Sequence, residues 1–259
     1  MTVALRRTWD WIPALVVFAA TIALWWGVIA HWHIQQFLLP SPKAIVQSFW
    51  NDRHTLWPAG WYTFKEALGG FVIGSSLGMA FAVVVARFRA VGTALMPIAI
   101  AANAVPIIAF APIFNFWFDP LSPHSKMAIA GVLCFFPVMV NTLRGLTSVK
   151  PQQIALMRAY AAGDVEIFRR VRVPTALPFV FTALKVASVL AMIGAIVGEY
   201  FGGSFSALGV LINSDAQIFD FVTAWAGIAV ASLLGISLYL AVVLTERLVV
   251  RWAPEGRDS

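Results

Sequence analysis

"RAYAAGDVEIFRRVRVPTALP", Arg158 to Pro178, lies between apolar runs long enough to cross a bilayer and resembles neither of them. It holds four arginines, two acids, one glycine and two prolines. With the residues just before it, the stretch reads as two short helices. Pro151 opens the first, which runs to about Ala162 and carries Ile154, Met157, Tyr160 and Ala161 on one face. Gly163 is expected to take the left-handed conformation that ends a helix, and Asp164 to cap the next. Val165, Phe168 and Val171 recur every three residues, with Arg169, Arg170 and Arg172 around the other side. Pro174 stops that helix and Pro178 enters the first turn of the following span. An amphipathic helix lying on anionic lipid is one reading. A rigid docking element for a cytoplasmic partner is the other. The glycine break and the direct feed into a span favour docking, because a membrane-lying helix needs neither.

The rest of the chain sets the class. Of 259 residues, 60% are hydrophobic and 12% charged, with a mean hydropathy of +0.82. Soluble domains carry about a quarter charged residues. An all-α integral membrane protein follows, with one domain over residues 1–259 and six transmembrane helices at about 11–30, 67–86, 90–118, 127–143, 175–198 and 221–245. The docking helix–turn–helix, residues 150–174, falls between spans 4 and 5. Pro97, Pro106 and Pro112 break the third span, which is tolerated where a segment is buried or lines a cavity. The first run is long for a signal sequence and reads as a retained span. Thirteen lysines and arginines fall on the side of the N-terminus, and four (Lys43, Arg53, Lys65, Lys126) on the other, with Lys185 inside the fifth span. Both termini are therefore expected in the cytoplasm. The net charge of +6 reads as membrane orientation, and no nucleic-acid partner is expected. Cys134 stands alone, which excludes an internal disulfide.

Four stretches carry a family resemblance. The spacing around Tyr160, Ala162, Phe168, Val171 and Pro174 resembles the cytoplasmic "EAA" loop of binding-protein-dependent ABC importer permeases. "FLLPSPKAI" (37–45), "SKMAIAGVLCFFPVMVNTLRGL" (125–146) and "GEYFGGSFSALGVLI" (198–212) resemble the outer segment, fourth span and glycine-rich outer loop of the nitrate/taurine/sulfonate-type subgroup. Ala155 stands where the motif has glutamate, and Ala161 where it has glycine. The resemblance implies docking on a separate ATPase through Met157, Tyr160, Ala161, Ala162, Gly163, Asp164 and Phe168. It implies a transporter of two permease copies and two ATPases, fed by an external solute-binding protein and working by alternating access in the cytoplasmic (inner) membrane. ATP and Mg would act at the ATPase, with no cofactor in this chain. The sequence agrees, having no G-x-x-x-x-G-K-[ST] phosphate loop and no H-E-x-x-H zinc pattern.

Candidates for the pathway are Asn103 beside Pro106 in the broken span, and Glu199 at the end of the fifth. Asn103 could equally bond a carbonyl freed by proline, and Glu199 could be solvated at the interface. Lys185 is expected to snorkel to the headgroups. Asp215, Gln217 and Asp220 read as a solvated outer loop within reach of a binding protein. Gly70, Gly74 and Gly78, and again Gly194 and Gly198, form small-residue ridges for close helix packing. His31 and His33 are too few for a metal site. An ion-gradient-driven transporter is the rival reading. It would favour acids within spans, and none is expected squarely inside one. With Lys185 the one cation in a span, a neutral or aromatic heterocycle such as a vitamin precursor is favoured as solute over a sulfonate, taurine or nitrate.

Overall fold

A long apolar run must satisfy its backbone polar groups internally, and a helix does so. The computed structural model describes residues 12–88, 94, 97, 101 and 106–252, and contains no strand among them. Helices α1 (Ile12–Trp32), α2 (Pro42–Asn51) and α3 (Arg53–Arg87) come first. A 3-10 turn (Ile107–Phe110) leads into α4 (Ala111–Phe118), followed by α5 (Pro123–Thr147), α6 (Pro151–Ala159) and α7 (Asp164–Ile167). A π-helical turn (Phe168–Arg172) joins α7 to α8 (Val173–Tyr200), before α9 (Leu208–Gln217) and α10 (Phe221–Val249). Five stretches among the described residues are long and apolar enough to cross a membrane: Leu15–Trp32, Arg53–Arg87, Pro123–Thr147, Asp164–Tyr200 and Phe221–Val249. Asn103 and most of the expected third span lie outside the described residues. The described end of that span is the 3-10 turn and α4, which closes on Asp119 at φ 72°.

The chain divides into two compact units. One comprises residues up to Trp57 together with Leu211–Val230. There Trp25 packs on Trp225 with ring centroids 5.4 Å apart. Ser48 Oγ donates to Asp52 at 3.0 Å and lies 3.3 Å from Thr223 Oγ1. Asp215 sits on α9 and is partly buried rather than in a solvated loop. Burial, then Asp220 and Asp52, raises its pKa.

The other unit, Pro58–Val210 with the described residues from Ala231 onward, holds α5 between two glycine ridges. A Cβ added at Gly70 would meet Ala130 Cβ at 2.5 Å, and one at Gly74 would meet Gly131 Cα at 2.8 Å. On the other flank a Cβ at Gly194 would meet Ala130 Cα at 2.8 Å. Both ridges thus serve packing within the chain. α5 supplies its own small residues, Ala130 and Gly131, so three backbones approach closely where hydrocarbon gives side chains no reason to associate. The string Gly74-Ser75-Ser76-Leu77-Gly78 also spells G-x-S-x-G, but it lies mid-helix in α3 rather than on the strand-to-helix turn a nucleophilic serine needs.

Three helices exceed the hydropathy windows that located them. α3 starts at Arg53, not near residue 67, and so carries Glu66 inside it at 2% exposure. α5 extends beyond 127–143 at both ends, with Ser122 Oγ capping its N-terminus through the His124 N–H. Pro174 does not stop a helix: α7, the π turn and α8 run on as one helical stretch from Asp164 to Tyr200. Proline removes one ladder donor. A π turn just before it accommodates the missing bond, and Thr175 Oγ1 donates to the Val171 carbonyl at 2.7 Å.

Candidate functional site

α6 ends in a Schellman motif. The Ala162 N–H reaches the Met157 carbonyl at 3.0 Å and the Ala161 N–H the Arg158 carbonyl at 2.9 Å. The left-handed residue this requires is Ala161, at φ 59°, not Gly163. Gly163 is extended, at φ −75° and ψ 166°, and caps α7. Asp164 is the first residue of α7, so it does not cap it. The turn therefore falls where the motif's glycine stands, although alanine occupies it. A left-handed alanine costs about 1–2 kcal/mol. Ala161→Gly is expected to stabilise this turn by about 1 kcal/mol, read as slower amide exchange over the end of α6 with uptake retained.

The two short helices expose apolar side chains. Tyr160 is 79% exposed and Val165 74%, whereas Ile167 is buried and anchors α7. The three-residue repeat had put Val165 on a common face with Phe168. A helix that turns π-helical after one turn shifts that register. Ala161, Gly163 and Asp164 are exposed, and Met157, Ala162 and Phe168 half-buried. Behind α6 lies a cleft of about 540 Å³, lined by Leu156, Met157, Val171, Pro174, Pro178 and Trp252 among others.

At the opposite ends of α5 and α8, polar groups are buried. Glu199 is 1% exposed, Lys126 1% and Glu66 2%. Glu199 Oε1 accepts from Thr63 Oγ1 at 2.7 Å, and Oε2 from the Gly209 N–H at 2.6 Å. Thr63 Oγ1 accepts in turn from the Leu208 N–H at 2.9 Å. The Glu66 and Glu199 carboxyls are hydrogen-bonded to each other, and Lys126 faces both. Lys126 Nζ also donates to the Pro120 and Ser122 carbonyls. Asn115 Nδ2 donates to the Gly198 carbonyl at 3.2 Å. Sequence reasoning missed Glu66 and Lys126, because an acid and a lysine beyond the apolar windows read as solvated. The signal available was helical spacing, since Thr63, Glu66 and Gly70 fall three and four apart on one face of α3. Glu199, expected either to meet solute or to be solvated, is enclosed. Pro106 is exposed, ahead of the 3-10 turn. Lys185 Nζ pairs with Glu246 Oε2 of α10 at 2.9 Å, both about a quarter exposed.

Residues 70–251 match the family described as binding-protein-dependent transport system inner membrane component. The chain belongs to this family. Across 95% of its length this permease is 30% identical to the riboflavin transport system permease protein RibX of Chloroflexus aurantiacus, covering 92% of that protein. Across 96% it is 32% identical to the formylaminopyrimidine transport permease protein ThiX of Halalkalibacterium halodurans, covering 98%. Relatives also include aliphatic sulfonates, taurine and nitrate permeases, at 24–27% identity. Its fold is that of a chain of the inward-facing MetNI methionine ABC transporter, with TM-score 0.55, 21% identity, and coverage of 78% of this chain and 96% of that one. The permease is thus the membrane subunit of an ABC importer, and ATP is hydrolysed by a separate subunit.

Proposed function

We propose that the permease crosses the membrane six times, with the stretch near 90–118 as one crossing, and keeps both termini in the cytoplasm. The thirteen-to-four division of lysine and arginine supports that orientation. Residues 150–174 dock on the ATPase through Met157, Tyr160, Ala161, Ala162, Gly163, Asp164 and Phe168. The observation that carries this reading is the joint of α6 and α7, where Tyr160 and Val165 expose apolar surface at the head of a stretch continuous with α8. A partner that moves this joint moves α8 with it. Two permease copies, two ATPases holding ATP and Mg, and an external binding protein complete the transporter. Asn103 and Pro106 line the path in the broken span, and Glu199 contributes by closing the bundle end opposite the docking element.

The solute is a neutral nitrogen heterocycle of the vitamin-precursor type. Lys126 and Lys185, the lysines of α5 and α8, both face carboxylates, which leaves neither to attract an anion. The relatives named for riboflavin and formylaminopyrimidine agree with it. Titrating the cognate binding protein with a flavin, an aminopyrimidine, a sulfonate and nitrate is expected to give tight binding only for a heterocycle. Preference for the sulfonate or nitrate would overturn the solute class and leave the docking reading intact.

A further inference from the structure

Two ionised carboxylates have acceptors only and cannot hydrogen-bond to each other. The bond between Glu66 and Glu199 therefore contains a proton. Its location follows from the partners. Gly209 N–H has only its hydrogen to offer, so Glu199 Oε2 must accept. Thr63 Oγ1, which accepts from the Leu208 N–H, is placed 2.7 Å from Glu199 Oε1 to donate its own hydrogen there. Each oxygen of Glu199 is thus offered a donor, which favours its ionised form. Glu66, by contrast, has its buried Oε2 without a hydrogen-bond partner among the described residues, so it is the carboxyl less suited to hold the charge. The charge balance agrees. Lys126 supplies one positive charge, and a site this enclosed tolerates one compensating negative charge far better than two. The other titratable groups nearby are Tyr62 of α3, Tyr200 of α8 and Asp119, which faces Lys126.

We propose that Glu66 is a neutral carboxylic acid that donates its proton to an ionised Glu199, with Lys126 as the countercharge. In this role Glu66 is a positioning residue. Through Glu199 it fixes Leu208 and Gly209, the end of the glycine-rich loop after α8, against α3. Glu66→Gln keeps both neutrality and a donor, since the amide N–H replaces the O–H.

The test uses infrared spectroscopy of the purified chain together with uptake by the reconstituted transporter. Wild type at neutral pH is expected to show a carboxylic-acid C=O stretch that disappears in Glu66→Gln, with uptake by that variant within about twofold of wild type. Lys126→Met is expected to lose uptake, and Lys126→Met combined with Glu199→Gln to regain part of it by restoring neutrality. Identical spectra for wild type and Glu66→Gln would overturn the proposal, as would a tenfold loss of uptake in Glu66→Gln. A band that survives Glu66→Gln and vanishes only in Glu199→Gln would place the proton on the other acid and overturn it equally.

Discussion

Tyr160→Arg is expected to lower ATP-driven uptake about tenfold or more, while the chain still inserts and purifies in normal amounts. Tyr160 is 79% exposed and follows directly on a helix with no buried residue, so its loss removes nothing from the core. A guanidinium there is well solvated in the free chain. On the docking proposed above, however, it must be desolvated where the native chain presents an aromatic ring. Losing one aromatic anchor at the centre of an interface costs about 2 kcal/mol or more, and each 1.4 kcal/mol is tenfold in affinity. Tyr160→Phe keeps the ring and is expected to transport normally. The measurement is uptake and ATP hydrolysis in proteoliposomes holding the permease, the ATPase and the binding protein. Normal uptake by Tyr160→Arg would place the docking contact elsewhere. Gly163→Pro is a useful companion, because φ −75° already suits proline. It is expected to leave the turn intact.

Gly74→Leu is expected to prevent the bundle from assembling. The atoms a Cβ would meet at this position belong to the Gly131 backbone, which cannot rotate away as a side chain does. Accommodating leucine therefore means separating α3 from α5 along the ridge, and the same separation pulls Gly70 off Ala130 and Glu66 away from Glu199. Overpacking of this kind costs on the order of 3 kcal/mol or more, a large share of the stability of a single domain. Gly27→Leu is the control, since a Cβ there meets nothing within 4 Å. The yield of monodisperse protein in mild detergent, and its thermal unfolding, should fall sharply for Gly74→Leu and stay near wild type for Gly27→Leu. Equal yields would mean that the ridge does not set the α3–α5 distance.

These two positions also show what was legible in the sequence. The fold class came from hydropathy alone, because a backbone in hydrocarbon has almost no alternative to a helix. The glycine ridges were visible as spacing, but their common partner, α5, was not, since spacing names a face and not what meets it. The segment between α5 and α8 stood out because arginines, glycine and prolines interrupt apolar runs. Its details depended on conformations that residue preference gets wrong: alanine at a left-handed position two residues before a glycine, and a proline absorbed by a π turn. The buried cluster was nearly invisible. Apolar windows end where charge begins, so Glu66 and Lys126 read as solvated ends, although the helices continue and bury them against Glu199. Only tertiary packing brings an acid of α3, a lysine of α5 and an acid of α8 together.

The central claim is that Arg158 to Pro178 couples this permease to an ATPase. The most direct measurement is to purify the tagged chain from its native membranes in mild detergent and to identify and quantify the proteins that come with it. The account predicts an ABC ATPase at equal stoichiometry with the wild-type chain, and its loss with Tyr160→Arg. A chain that purifies alone, yet moves solute when an ion gradient is imposed on liposomes, would contradict it.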